Sequence, residues 1–126
     1  MTVKFLSEEW AQELKERLNA SEAFTTALGA QSATIQQVIA TEDGQAKYWL
    51  RIEGGRIDMG TGEIDSPDVT IAQDYDTAVA LARSELNAVT AFMTGRLKID
   101  NLMKVMGLQG AFGTLPAVMA EMDVDY

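Results

Sequence analysis

Tyr75-Asp76 and Asp58 are the residues of this sequence best suited to acid-base work, because tyrosine and carboxylate side chains in an apolar pocket can polarise a carbonyl or an epoxide oxygen. Such a set would isomerise a steroid-like ketone or open an epoxide. The local pattern offers a simpler account. Both Tyr75 and Asp76 fall where a helix begins, so capping explains Asp76 and a hydrophobic staple explains Tyr75. The remaining catalytic repertoire is missing. With no His and no Cys, the chain has no side chain that ordinarily titrates near neutrality, no Ser-His pair, no thiolate or imidazole metal ligand and no disulfide. We therefore expect a protein that is not an enzyme and that needs neither metal nor cofactor.

The elements that would position any site follow from composition and period. The 126 residues, 47% hydrophobic and 23% charged, make one domain over residues 1–126 with a core of its own. Ten Lys and Arg against nineteen Asp and Glu leave a formal charge of −9, which repels phosphate backbones and anionic surfaces at long range. Nucleic acid is thereby disfavoured as a partner. The opening MTVKFLSEEW turns acidic at once and does not read as a secretory leader, and no stretch approaches the roughly 20 apolar residues of a membrane span. The closing EMDVDY carries neither a prenylation box nor a Ser-Lys-Leu-type address. These features predict a cytoplasmic chain without stable membrane insertion.

Ser7 followed by Glu8 and Glu9 predicts a helix start, with Trp10, Leu14 and Leu18 on one face. A second helix carrying Phe24 and Leu28 should stop at Gly29. ATIQQVIA (33 to 40), a turn at Glu42-Asp43-Gly44 and KYWLRIE (47 to 53) then read as a hairpin, with Tyr48, Leu50 and Ile52 on one face and Trp49 and Arg51 on the other. RIDMG after Gly54-Gly55, and VTIA from Val69, supply two more strands. Asp74 should cap a helix through Val79, Ala82 and Leu86, and Asn87 another through Ala91 and Phe92 that Gly95 ends. RLKID (96 to 100) alternates as a fifth strand. A helix before Gly107 and a last one near Pro116 complete an α+β fold with a largely antiparallel sheet. The two-helix return from VTIA to RLKID is long enough for a crossover that would make one strand pair parallel.

The opening FLSEEWAQELKERLN, the strand AKYWLRIEGGRI and above all the run DVTIAQDYDTAVALARSELNAVTAFMTGRLKIDNLMKVMGL resemble the sterol carrier protein type 2 domain, also called the lipid-transfer domain. The resemblance spans nearly the whole chain and rests on order and spacing of elements. It departs at Asp100-Asn101, where many members have Gly-Asp after the fifth strand. It implies a twisted five-stranded sheet covered by helices, with an apolar tunnel between them that takes up a fatty acyl chain, an acyl-CoA, a sterol or a phospholipid.

The residues themselves fit a greasy, adaptable interior. Of seven Met, five (Met93, Met103, Met106, Met119 and Met122) lie in the last 34 positions, and thioethers adapt to ligands of varied shape. The expected cavity wall is Trp49, Phe92, Met93, Leu97, Ile99, Met103, Met106, Phe112, Leu115, Met119 and Met122. Each of these is also compatible with ordinary core, and Gly107, Gly110 and Gly113 with helix caps as well as with a hinged lid. A competing reading makes the Met-rich surface an interface, in a monomer or weak homodimer that carries no ligand. Lipid binding needs no catalytic group. Sixteen buried carbons offer roughly 10 kcal/mol gross, against the ~8 kcal/mol net of a micromolar site.

Overall fold

In the computed structural model, which describes residues 2–126 apart from Ser84 and Asn87, the chain opens with a two-residue strand, β1 (Val3–Lys4), and enters α1 (Glu8–Ala20). The Ser7 hydroxyl accepts from the Trp10 N–H at 3.2 Å, with Glu8 and Glu9 in the first turn beside the free amides. Replacing Ser7 by Ala should lower stability by about 1 kcal/mol, seen as a lower urea midpoint at unchanged slope. Ser21 repeats the device for α2 (Glu22–Leu28), accepting from the Phe24 N–H at 3.2 Å, and Gly29 closes that helix.

The chain then forms a meander of β2 (Ala33–Thr41), β3 (Gly44–Glu53) and β4 (Arg56–Thr61). Gly54 and Gly55, at φ 60° and 75°, make the second turn in the left-handed region that side chains avoid. Next, β5 (Val69–Asp74) runs parallel to β2 on the side away from β3, and β6 (Lys98–Ile99) pairs antiparallel with β5. The sheet order is β4-β3-β2-β5-β6, a five-stranded, mostly antiparallel sheet within an α+β fold.

Between β5 and β6 lie α3 (Tyr75–Ala82) and α4 (Ala88–Met93); α5 (Leu102–Gly107), α6 (Gln109–Phe112), α7 (Leu115–Ala120) and β7 (Val124–Asp125) complete the chain. Several expectations are corrected. The two helices after β5 bring the chain back antiparallel, so the parallel pair is β2 with β5, joined through the β3–β4 hairpin and residues 62–68. Leu86 falls beyond α3, because the amides of Glu85 and Leu86 turn back to the Ala80 carbonyl. The strand expected over 96–100 shortens, because the Arg96 and Leu97 amides donate to the Ala91 carbonyl and close α4. The expected Asn87 cap lies outside the described residues. Of Gly107, Gly110 and Gly113, Gly113 caps the end of α6 as expected, but at φ −64°, and none of the three is a left-handed cap, since the positive-φ glycines lie elsewhere.

The core lies on one face of the sheet. Trp10, Leu14 and Leu18 of α1 and Phe24 and Leu28 of α2 are buried together with Ile35, Leu50, Ile52, Met59 and Val69. The ends of the chain meet beside it, where β1 pairs parallel with β7 and Phe5 stacks edge-on against Trp10 at 5.1 Å.

Candidate functional site

Strand alternation decides which side chains can face a ligand between sheet and helices. Leu50 and Ile52 point to the helices, so Trp49 and Arg51 point away; the guanidinium of Arg51 lies 5.5 Å from the Trp49 ring centroid. Trp49 also covers Gly60, where an added Cβ would come within 2.6 Å of the indole. Trp49 is therefore separated by the sheet from the helix-covered face, and from Ile99, which pairs with Ile71 on that face.

The other ten expected wall residues divide into three groups. Leu97 and Met122 are buried. Ile99, Phe112, Leu115 and Met119 are half-buried and pack against the core, as does Val105 of α5. Phe92, Met93, Met103 and Met106 stand at the surface, with Met93 78% and Met103 83% exposed. Apart from Ile99 of β6, the half-buried set is carried by short helices of four to six residues, α5, α6 and α7, whose segment also contributes buried Leu108, Ala111 and Val118 to the core.

Polar groups missing from the expected set lie on the helix-facing side of the sheet. The Gln73 amide donates to Gln37 Oε1 at 2.9 Å, and Gln37 sits opposite Tyr48, whose ring meets Trp10 edge-on at 5.2 Å. Burial pushes the Tyr48 phenol well above its ordinary range, so it remains a neutral hydroxyl. Gln73 Oε1 and Trp10 Nε1 are buried without a hydrogen-bond partner among the described residues. A signal for them existed in ATIQQVIA, since two successive Gln in an apolar strand put one on each face.

The acid-base residues are kept apart. Asp58 of β4 accepts from the Met59 N–H at 2.9 Å and pairs with Lys15 at 3.4 Å, whereas the Tyr75 hydroxyl donates to the Tyr126 carbonyl at 2.7 Å. Three strand steps, about 14 Å, separate β4 from β5, which Tyr75 follows. The cap of α3 is Asp74, not Asp76: its carboxylate accepts from Thr77, and those hydrogen bonds hold it below the usual carboxylate range. Among the described residues no group of three or more carboxylates is arranged to hold a metal ion, and no helix is long and apolar enough to cross a membrane. Two open surface depressions, of about 450 Å³ on the acidic flank of α1 and about 420 Å³ between α1 and α7, are lined by none of the expected wall residues.

A mixed sheet of this order, with its helices gathered on one face and short helices over an apolar wall, has known counterparts. Residues 4–113 match the SCP-2 sterol transfer family, and the chain belongs to it. Among solved structures it is similar to sterol carrier protein 2, with 21% identity, a TM-score of 0.81, and coverage of 94% of this chain and 99% of that one. A possible sterol carrier protein from Thermus thermophilus (19%, TM-score 0.70, 92% and 90%) and palmitated SCP2L2 from Aedes aegypti (18%, TM-score 0.64, 87% and 95%) share the fold. So does part of the inverting sec-alkylsulfatase Pisa1 from Pseudomonas sp., at 24% identity and a TM-score of 0.63, over 86% of this chain and 16% of that enzyme. No curated protein matches the chain.

Proposed function

We infer that this chain, acting as a single domain, binds a lipid with a long acyl or sterol body in an apolar tunnel between the helix-facing side of the sheet and α5 to α7, and carries it without chemical change. The observation that carries this reading is the half-buried wall of Ile99, Val105, Phe112, Leu115 and Met119, packed on the core yet still in touch with the surface. Membership of a sterol transfer family and the palmitated state of the Aedes aegypti relative support it.

Entry requires the cover to part. Helices of four to six residues hold little stability of their own, so lifting them, with the wall side chains they carry, opens the space against the sheet at small free-energy cost. The buried Gln73 carbonyl, without a hydrogen-bond partner among the described residues, provides an acceptor for a ligand's polar end. A fatty acid, acyl-CoA, sterol or phospholipid satisfies these requirements, and the cytoplasm is the compartment the reading assumes.

Native mass spectrometry of the freshly purified protein, followed by organic extraction, should release a lipid in near-stoichiometric amount. In the stripped protein, Leu115→Trp and Met119→Trp should each weaken uptake of a fluorescent fatty acid by about tenfold by filling the space, while shifting the melting temperature by only a few degrees. A bare protein that takes up no acyl probe, or uptake indifferent to both variants, would sink the reading.

A further inference from the structure

We propose that the interior selects lipids whose polar end is an uncharged hydroxyl, recognised by the paired side-chain amides of Gln37 and Gln73. This selectivity rests on the carrier function proposed for the chain and names the ligand class of that same space. The two amides interrupt an apolar face: Gln37 lies between Ile35 and Ile39 on β2, and Gln73 follows Ile71 on β5. The three isoleucines are at most 6% exposed, whereas Gln37, Gln73 and Tyr48 are only half-buried. The polar groups stay within reach where their apolar neighbours do not.

Strand register joins the amides to the wall. Tyr48, Gln37, Ile71 and Ile99 stand in one row across β3, β2, β5 and β6. Two strand steps, about 10 Å, separate half-buried Ile99 from Gln37, so a ligand body lying against Ile99 and the wall of α5 to α7 can bring its end to the amides. Gln73 donates to Gln37 Oε1 at 2.9 Å, and Gln73 Oε1 is buried without a partner among the described residues. A ligand group completes this unfinished pair.

The chemistry of that group follows from charge. None of the ten Lys and Arg is buried among the described residues. Lys47, Arg51, Arg56 and Lys98 alternate to the opposite face of the sheet, and Arg96 donates to the Thr77 hydroxyl at 3.1 Å. Burial raises the Tyr48 phenol with no neighbouring cation to offset it. An ionised carboxylate or phosphate drawn down to the amides would lose its water without gaining a counter-charge, and it has no proton to donate. A hydroxyl both donates and accepts, so it completes the pair whichever way the two amides are turned.

Equilibrium dialysis of the lipid-stripped protein against 1-dodecanol, dodecanoate and dodecane, at a mildly alkaline pH that keeps the acid ionised, tests the selection. The alcohol should bind about tenfold more tightly than dodecanoate or better. Gln37→Leu with Gln73→Leu removes both amides together and leaves neither unpaired, so folding should persist, with an unchanged thermal melt as the check. This double variant should weaken the alcohol by about tenfold and change dodecane by less than about twofold. Dodecanoate bound as tightly as the alcohol by the unaltered protein, or a double variant that spares the alcohol or weakens dodecane equally, would overturn the selectivity while leaving the carrier function standing. A protein that binds none of the three would overturn both.

Discussion

Alanine in place of Trp10 is expected to remove about 4 kcal/mol of stability, a large share of what a domain of this size possesses. Trp10 is 1% exposed and sits at the junction of three structural units: α1 that bears it, Phe5 just after β1, and Tyr48 on the sheet. Truncation leaves a cavity that neither ring can fill without giving up its edge-on contact. Phenylalanine should restore about half of the loss, because the indole N–H has no partner among the described residues to forfeit. Urea unfolding of both variants measures the pair of effects. Equal losses for the two substitutions would mean that the indole nitrogen is bonded in solution.

The second large effect is expected at Gln36, on the opposite face of the sheet. Its side-chain amide donates to the carbonyls of Gln37, Tyr48 and Gly62 at 3.0 to 3.2 Å, and its carbonyl accepts from the Ile64 N–H at 2.8 Å. Only 6% of the residue is exposed. These bonds fasten the start of the connection over residues 62–68 that carries the chain from β4, at one edge, to β5 on the far side of β2. Leucine would leave several buried polar groups unpaired, at a cost of about 3 kcal/mol. Hydrogen exchange at Ile64 should accelerate in this variant well before global unfolding. A loss below about 1 kcal/mol, with Ile64 still protected, would show that the connection is held by Thr34 and Asp68 instead.

Together the two residues separate stability from carriage. Trp10 and Gln36 hold the sheet and its crossing connection, whereas the half-buried wall carried by α5 to α7 is the part proposed to open. Loss of ligand uptake without loss of stability should therefore map to Leu115 and Met119.

Local chemistry made much of this legible in the sequence. Ser7 and Asp74 cap helices because each side chain reaches an amide only three residues away, a bond that needs no distant partner. The alternation in KYWLRIE likewise determined that Leu50 and Trp49 occupy opposite faces, which takes Trp49 out of any space beneath the helices. The order and spacing of elements sufficed to indicate the family.

Tertiary structure alone decided the rest. Nothing within a strand says that β5 pairs with β2 rather than β4, and the two-residue pair β1 with β7 exists only because the chain ends meet. The Met residues show the division most clearly. Met122 is buried, Met119 half-buried and Met103 at the surface, although all three are apolar residues in or just after helical segments. Period selects the apolar face of a helix from its own residues, but burial belongs to pairs of segments far apart in the chain, and only the assembled fold determines which apolar faces find a partner.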